Sequence, residues 1–156
     1  MKDVSIQRLH RLDLNEIAHL AQESRDEGFR HITRLSEQYE SGTNRFDQPG
    51  EALFAARDRE RIIGICGLNQ DPYSMTAGVG RVRRLYVSKL YRRHGVARWL
   101  MEQVIEEAKR HYSVLVLKTD HPIADRFYDS LGFISMGDND NVSHMLRLDG
   151  RSGSRF

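Results

Sequence analysis

The spacing of apolar residues changes along the chain, and each change marks a predicted element. Apolar and polar residues alternate over 4–9, which is typical of a strand with one buried face. Over 14–24, and again after Gly28, apolar residues recur at helical spacing. Asp13 and Glu16 stand where a capping box would start the first helix. The chain is therefore predicted to begin with a strand and two helices.

Three predicted strands follow, and the third is irregular. Residues 51–57 and 62–69 are largely apolar and flank a polar turn, which predicts a hairpin of two buried strands. In RVRRLYVS at 81–88, the apolar positions Val82 and Leu85 would fall on opposite faces of a regular strand. One extra residue between them restores a common face, so we expect a β-bulge there.

Helices and strands alternate in the rest of the chain. The fullest helical stripe runs from Val96 to near His111, and the apolar run 114–119 is typical of a central strand. A short helix is bracketed by Pro122 and Gly132. The last predicted strands are 133–136 and 142–148. The order β-α-α-β-β-β-α-β-α-β-β predicts an α+β domain with a mixed sheet flanked by helices.

Composition and charge restrict the class of protein. The 156 residues are 39% hydrophobic and 29% charged, which predicts one globular domain over 1–149 and a frayed tail over 150–156. The net charge of +2 is low for a dedicated nucleic-acid binder. No apolar run has the length of a signal peptide or membrane span, so we expect a cytoplasmic protein without a membrane partner. The single Cys66 lies in an apolar run and is expected in the core.

The stretch YRRHGVARWL at 91–100 places charge at the start of a predicted helix. On charge alone, Arg92, Arg93 and His94 form a solvated turn. The first amide N–H groups of a helix have no intrahelical acceptor, however, and the helix dipole adds partial positive charge. Gly95 has no side chain to shield those amides. The stretch is therefore also a candidate anion site.

The spacing Arg92-x-x-Gly95-x-Ala97 resembles the acetyl-CoA pyrophosphate loop of the GNAT superfamily of N-acyltransferases. The predicted order of elements is similar to that family along nearly the whole chain. A second segment, HPIADRFYDSLGF, resembles the family's Ala-x-x-x-Tyr…Gly-Phe motif. Its matching residues are Ala124, Tyr128, Gly132 and Phe133. The chain departs from the family at His121, where an asparagine often contacts the pantetheine arm.

The resemblance implies a fold and a set of cosubstrate contacts. It implies a mostly antiparallel sheet of about seven strands, in which the strands at 81–88 and 114–119 splay apart to admit acetyl-CoA. Backbone groups of the first of these strands would pair with pantetheine and polarise the acetyl carbonyl, and the following loop would hold the pyrophosphate. No metal is expected. The implied cosubstrate-binding residues are Leu85, Tyr86, Val87, Arg92, Arg93, His94, Gly95, Val96, Ala97 and Arg98.

The resemblance also implies a general acid, Tyr128, that protonates the departing CoA thiolate. From the residues alone, the more common interpretation of Tyr128 is a core aromatic on the apolar face of its helix, with a hydrogen-bonded hydroxyl. The general base stays unassigned. The candidates are a water relay and the titratable residues Asp120, His121, Glu23, Asp26 and Glu27. The simplest interpretation of Asp120 is an N-cap for the helix after it, and that of the acidic residues at 23–27 is a solvated helix face.

The sequence does not identify the acceptor. The resemblance implies a primary amine, on a small molecule, a peptide N-terminus, a protein lysine or an antibiotic. The acidic residues that would attract a cationic amine are Glu23, Asp26, Glu27 and Asp71.

Two other functions stay open on the residues alone. A stripe of basic residues interleaved with Tyr86 and Tyr91 suits RNA. The stripe comprises Arg81, Arg83, Arg84, Lys89, Arg92 and Arg93. A GNAT-like module that senses acyl-CoA without turnover is the second alternative, against which the retained Tyr128 argues. Pairing of the final hairpin between protomers would make the protein a homodimer.

Overall fold

The computed structural model describes residues 3–137 and 139–148. The tail predicted at 150–156 lies outside the described residues. The strands are β1 (Val4–Arg8), β2 (Ala52–Asp58), β3 (Arg61–Gln70), β4 (Val79–Val87), β5 (Val114–Leu117), β6 (Ile134–Ser135) and β7 (His144–Arg147). The helices are α1 (Ala18–Asp26), α2 (His31–Ser41), α3 (Val96–Lys109) and α4 (Ala124–Ser130), with 3₁₀ turns at Leu14–Ile17 and Lys89–Tyr91. The predicted order of strands and helices is confirmed.

The described strands form one sheet in the order β1-β2-β3-β4-β5-β7-β6. All of these pairs are antiparallel except β4 with β5. One apolar cluster joins α3 and α4 to a face of the sheet, and a second joins α1 and α2 to the other face. Cys66 is fully buried in the first cluster, as predicted, and burial raises the pKa of its thiol to about 12.

The predicted β-bulge in β4 is confirmed. Ile65 of β3 opposes Tyr86, whereas Gly67, two residues on, opposes Arg83, so β4 contains one extra residue. Arg84 lies at the bulge and has a left-handed φ of 66°. Because of the bulge, Val82 and Leu85 pack into the same apolar cluster.

Pairing between β4 and β5 is confined to the beginning of both strands. It runs from Val79 opposite Val114 to Arg81 opposite Val116. At this point the Arg81 guanidinium forms a buried ion pair with Asp71, with 2.7 Å between Nε and Oδ1, and donates to the carbonyl oxygen of Asn141. Past Arg81 the two strands line opposite sides of a cleft, as the splayed arrangement requires.

Two predicted helix caps need correction. The Asp13 carboxylate accepts from the amide of Asn15, but the Glu16 carboxylate pairs with Arg57 at 2.8 Å, so the capping box is only half formed. Asp120 does not cap α4, because α4 begins at Ala124. The Asp120 carboxylate is instead exposed, 3.7 Å from Lys118 Nζ. None of the described helices is long and apolar enough to cross a membrane.

Candidate active site

The cleft between β4 and β5 has a volume of about 640 Å³. Its walls come from the outer parts of the two strands, the start of α2, and the loops that precede α4 and β7. Residues from both halves of the chain therefore meet here. Tyr128 lies on the α4 side, and His31 and Arg84 lie on the α2 and β4 side.

The loop from β4 to α3 presents backbone amides rather than side chains. Arg93 and Gly95 both have left-handed φ angles, 67° and 83°, which turn the chain sharply into α3. Within the described residues, the amide N–H groups of 93–98 donate to no protein acceptor. A Cβ at Gly95 would have no heavy atom within 4 Å, so it would project into open space. This geometry suits an anion.

The side chains of this loop divide between exposed and structural positions. Arg93 and His94 are exposed, whereas Val96 is buried in the core, so only its backbone faces the loop. Ala97 is half-buried against the core, and Arg98 donates to the Ser130 hydroxyl of α4. An anion at the loop would thus contact amides first and exposed cations second.

Arg92 is already held by protein groups. Its guanidinium donates to both carboxylate oxygens of Glu27, at 2.8 and 2.6 Å, and its Nε donates to the carbonyl oxygen of Val87 at 2.9 Å. The guanidinium stands over the Tyr86 ring, 5.3 Å from its centroid. Arg92 therefore ties α1, the end of β4 and the loop together.

Glu23 and Glu27 do not form a solvated helix face, and that prediction is wrong for both. The Tyr86 hydroxyl is shared between their carboxylates, at 2.8 Å from Glu23 and 2.5 Å from Glu27. Glu23 also accepts from the Ser88 hydroxyl at 3.0 Å and the Lys89 amide at 2.7 Å. We call Glu23, Glu27, Tyr86 and Arg92 the α1 clamp. Asp26, between the two glutamates in sequence, does lie on the exposed face.

The charge state of the α1 clamp follows from its hydrogen bonds. Hydrogen bonding to Arg92 lowers the pKa of Glu27 to about 2, against the opposing effect of burial. Burial raises the pKa of Glu23, but hydrogen bonds from Lys89, Tyr86 and Ser88 outweigh it, and the net direction is downward. Both carboxylates are therefore charged at neutral pH and weak as proton acceptors.

Tyr128 is buried in an aromatic cluster at the edge of the cleft. Its ring packs against Phe127, Phe133 and His144 at centroid distances of 5.1, 5.6 and 5.4 Å. Its hydroxyl has no hydrogen-bond partner among the described residues, and burial raises its pKa above the ordinary value of tyrosine. Tyr128 therefore keeps its proton at neutral pH and has no protein acceptor competing for it.

The other predicted site residues lie along the cleft or next to it. Leu85 lines the cleft, whereas the side chain of Tyr86 points into the α1 clamp and Val87 is buried. Pairing with β5 stops at Arg81, so the β5-facing edge of β4 is unpaired at 85–87 among the described strands. Asp120 and His121 are exposed at the cleft rim.

The basic stripe proposed for RNA does not form one surface. Arg81 is buried and paired with Asp71, and Arg92 is paired with Glu27. Asp71 is consequently not free to attract a cationic amine. Arg84 turns toward α2, where it donates to the Gln38 side chain at 3.0 Å. His31 belongs to the stretch 23–32 that was expected at the acceptor face, whereas Arg34 was not predicted as a cleft residue, because only the packing of α2 brings it there.

Comparison with known proteins identifies the family. Residues 20–148 match the family described as acetyltransferase (GNAT) domain. A 104-residue stretch is 35% identical to N-alpha-acetyltransferase 30 of Schizosaccharomyces pombe, covering 64% of this chain and 69% of that protein.

Solved structures have the same fold. A protein of Exiguobacterium sp. 255-15, assigned to the acetyltransferases, superposes with a TM-score of 0.83 at 27% identity over 99% of both chains. Escherichia coli YhbS, a GNAT family N-acetyltransferase solved with CoA, superposes with a TM-score of 0.69 at 18% identity, over 97% of this chain and 86% of its own. The fold, the loop before α3 and the match over 20–148 agree: the chain belongs to the GNAT family of acetyltransferases.

Proposed function

We propose that the protein transfers the acetyl group of acetyl-CoA to a primary amine by direct attack. The observation that carries this proposal is the run of amides at 93–98 that have no partner in the described part of the chain, near a cleft that contains a protonated Tyr128. The family match and the CoA bound by YhbS support the choice of cosubstrate.

The loop is proposed to bind the pyrophosphate of acetyl-CoA. Amide N–H groups at 93–98 supply the hydrogen bonds, and Arg93 and His94 add screened electrostatic attraction. Hydrogen bonds to a charged group contribute about 1.5–3 kcal/mol each, so a few of them account for firm binding. The unpaired edge of β4 at 85–87 then pairs with the pantetheine amides as an added strand.

The reaction balances with Tyr128 as the proton donor. The amine nitrogen forms a bond to the acetyl carbonyl carbon, the carbon–sulfur bond breaks, and the thiolate takes the Tyr128 proton. An alkylammonium acceptor loses two protons in all. One of them restores Tyr128, whose own proton has passed to the CoA sulfur. The other is released to solvent.

The acceptor must lose its first proton before it attacks. A lysine-type amine, with a pKa near 10.4, is about 3.4 units above neutral pH, and its free base costs roughly 4.6 kcal/mol, whereas an α-amino group with a pKa near 8 costs only about 1.4 kcal/mol. Glu23 and Glu27 are hydrogen-bonded and have lowered pKa values, so they are poor bases. We infer that water in the open cleft carries the proton out past Asp120 and His121, both of which are exposed at its rim.

The acceptor class that we would test first is an α-amino group. The name of the S. pombe relative, N-alpha-acetyltransferase, supports this choice. The test measures thermal unfolding with and without acetyl-CoA, and CoA release across amino acid amides, short peptides and diamines. We expect acetyl-CoA to raise the unfolding temperature and at least one amine class to release CoA with formation of the N-acetyl product.

Other outcomes separate the alternatives. Stabilisation by acetyl-CoA without CoA release from any amine would assign a silent sensor. Absence of stabilisation, together with RNA affinity that falls steeply with salt, would assign a nucleic-acid binder and contradict the proposal.

A further inference from the structure

The wall of the cleft formed by α2 and β4 carries more positive charge than its neighbours neutralise. Arg34, Arg83 and Arg84 all line this wall, and His31 lies beside them. Within the described residues, none of these arginines forms an ion pair with a carboxylate. The surplus is unusual, because cations that crowd one site repel one another unless a counter-charge joins them.

Arg84 is the centre of this group. Its left-handed backbone at the β-bulge turns the side chain toward α2, where one terminal nitrogen donates to Gln38. Its Nε is buried without a hydrogen-bond partner among the described residues. Burial, together with the positive charges of Arg83 and Arg34, lowers the pKa of Arg84 to about 10. The guanidinium therefore has an unused donor and an unfavourable electrostatic environment.

His31 supplies a second unused polar atom next to Arg84. Its ring packs between Phe29 and Tyr86, at centroid distances of 5.6 and 5.7 Å, and its Nε2 is buried without a partner among the described residues. Burial and repulsion from Arg84 and Arg34 outweigh the opposing effect of the Leu85 backbone and lower the pKa of His31, so the ring is neutral at physiological pH. Buried polar atoms are usually hydrogen-bonded, so two without a partner among the described residues are unusual, and both belong to residues that line the cleft.

Nearby carboxylates are engaged elsewhere. Asp71 is paired with Arg81, and the carboxylates of Glu23 and Glu27 belong to the α1 clamp. The remaining acidic residues that line the cleft are Asp120, beside Lys118, and the exposed Asp140. The α2 and β4 wall is thus a cationic surface inside the cleft.

We infer that the acceptor carries an anionic group, a carboxylate or a phosphate, that binds Arg84 together with Arg34 and Arg83. This inference rests on the proposed acetyl transfer and narrows its acceptor class. A guanidinium donates two parallel hydrogen bonds to either anion, and Arg34, Arg83 and Arg84 all line the same cleft. The inference reverses the expectation that acidic residues select a cationic amine.

The test compares acceptors that share an α-amine and differ only in the anion. Glutamic acid α-amide is compared with glutamine α-amide, O-phosphoserine α-amide with serine α-amide, and arginine α-amide serves as a cationic acceptor. The variants are Arg34→Gln, Arg84→Gln and Arg84→Lys, with Arg110→Gln as the control, since Arg110 lies at the exposed end of α3. Arg34 is exposed, so its variant remains informative if Arg84→Gln fails to fold.

We expect wild-type kcat/KM to be roughly tenfold or more higher for the anionic member of at least one pair, which corresponds to one charged hydrogen bond. Arg34→Gln and Arg84→Gln should reduce that preference, whereas Arg84→Lys should retain part of it and Arg110→Gln all of it. Preference in the first pair assigns a carboxylate, and preference in the second assigns a phosphate. Equal use of both members by the wild type, or a preference unchanged in both glutamine variants, would overturn the inference.

Direct binding measurements distinguish failure of the proposed acetyl transfer from failure of the proposed anion site. If no amine releases CoA, calorimetry compares N-acetylglutamic acid α-amide with N-acetylglutamine α-amide, and N-acetyl-O-phosphoserine α-amide with N-acetylserine α-amide. Tighter binding of an anionic compound that is lost in Arg84→Gln would support the anion site and reject acetyl transfer. Equal binding within both pairs would reject both.

Discussion

Tyr128 and Gly95 contribute to the proposed reaction through opposite features. Tyr128 acts through a side chain that burial keeps protonated. Gly95 acts because it has no side chain. Its φ of 83° and the open space around its Cβ position leave the loop amides uncovered. A substitution of Tyr128 is therefore expected to affect the chemical step, and a substitution of Gly95 the binding of acetyl-CoA.

Tyr128→Phe should lower kcat by about 10²–10⁴, the usual contribution of a general acid, with little change in acetyl-CoA affinity. The hydroxyl has no partner among the described residues, so its loss should leave the unfolding temperature nearly unchanged. Tyr112→Phe is the matched control: it removes a hydrogen bond to the Gly50 carbonyl oxygen at 2.7 Å, away from the cleft. It should cost stability but not kcat, and an unchanged kcat in Tyr128→Phe would rule out the acid role.

Gly95→Asp should abolish detectable acetyl-CoA binding, because a carboxylate in this loop would repel the pyrophosphate that the loop amides are proposed to bind. Gly42→Asp is the control for backbone strain, since Gly42 ends α2 with the same φ of 83° and has only the end of the Arg45 side chain nearby. Calorimetry of acetyl-CoA binding measures both, with Arg93→Ala alongside. Loss of binding in Arg93→Ala and not in Gly95→Asp would contradict the role of the amides.

At the scale of elements, the α1 clamp joins the first helix to the loop before α3. Glu23 and Glu27 reach across to Tyr86 of β4 and to Arg92 of the loop, so the loop conformation depends on a helix that is distant in sequence. Arg92 donates to Glu27 and to the Val87 carbonyl oxygen. We infer that Arg92 positions the loop rather than serving mainly as a charge for the pyrophosphate.

Glu27→Gln discriminates between these two roles of Arg92. If Arg92 positions the loop, weakening its bidentate ion pair should raise the Kd for acetyl-CoA, by about tenfold for a lost charged hydrogen bond. If Arg92 binds the pyrophosphate directly, the variant frees a cation and should keep or tighten the affinity. Calorimetry decides, with Asp26→Asn as the control, because Asp26 is the exposed preceding residue of α1 and bonds to Gln22.

At the scale of the whole molecule, the position of the cleft depends on where β4 and β5 part. The buried Arg81–Asp71 pair sits at the last paired residue of β4 and reaches the segment before β7 through the Asn141 carbonyl oxygen. It thus fixes three segments around the point where the cleft opens. The hairpin of β6 and β7 forms the far edge, where Ile134 is exposed, and the homodimer through this hairpin stays a prediction.

Arg81→Ala should lower the free energy of unfolding by about 3–5 kcal/mol, because it leaves the Asp71 carboxylate buried without a counter-charge. Arg59→Ala breaks the exposed pair with Asp3 and should change stability by no more than about 0.5 kcal/mol. Urea denaturation of both variants measures the difference. Equal effects would show that the pair at the mouth of the cleft does not hold the strands.

Much of the fold was predictable because its signals are local. Apolar spacing predicted the helices and strands, and the change of face between Val82 and Leu85 predicted the bulge, since a strand exposes alternate residues whatever its neighbours are. The loop at 92–97 was recognisable for a similar reason: a glycine at a helix start and free amides are properties of a few consecutive residues.

Tertiary structure decided the partners of the charged groups. A glutamate on a solvated face and a glutamate in the α1 clamp look the same in sequence, and only the packing of α1 over β4 showed that Glu23 and Glu27 are the second kind. The same holds for Asp71 and Arg81, and for the unpartnered atoms of His31 and Arg84. Electrostatic energy depends on distance through space, and the sequence by itself determines distances only between near neighbours in the chain.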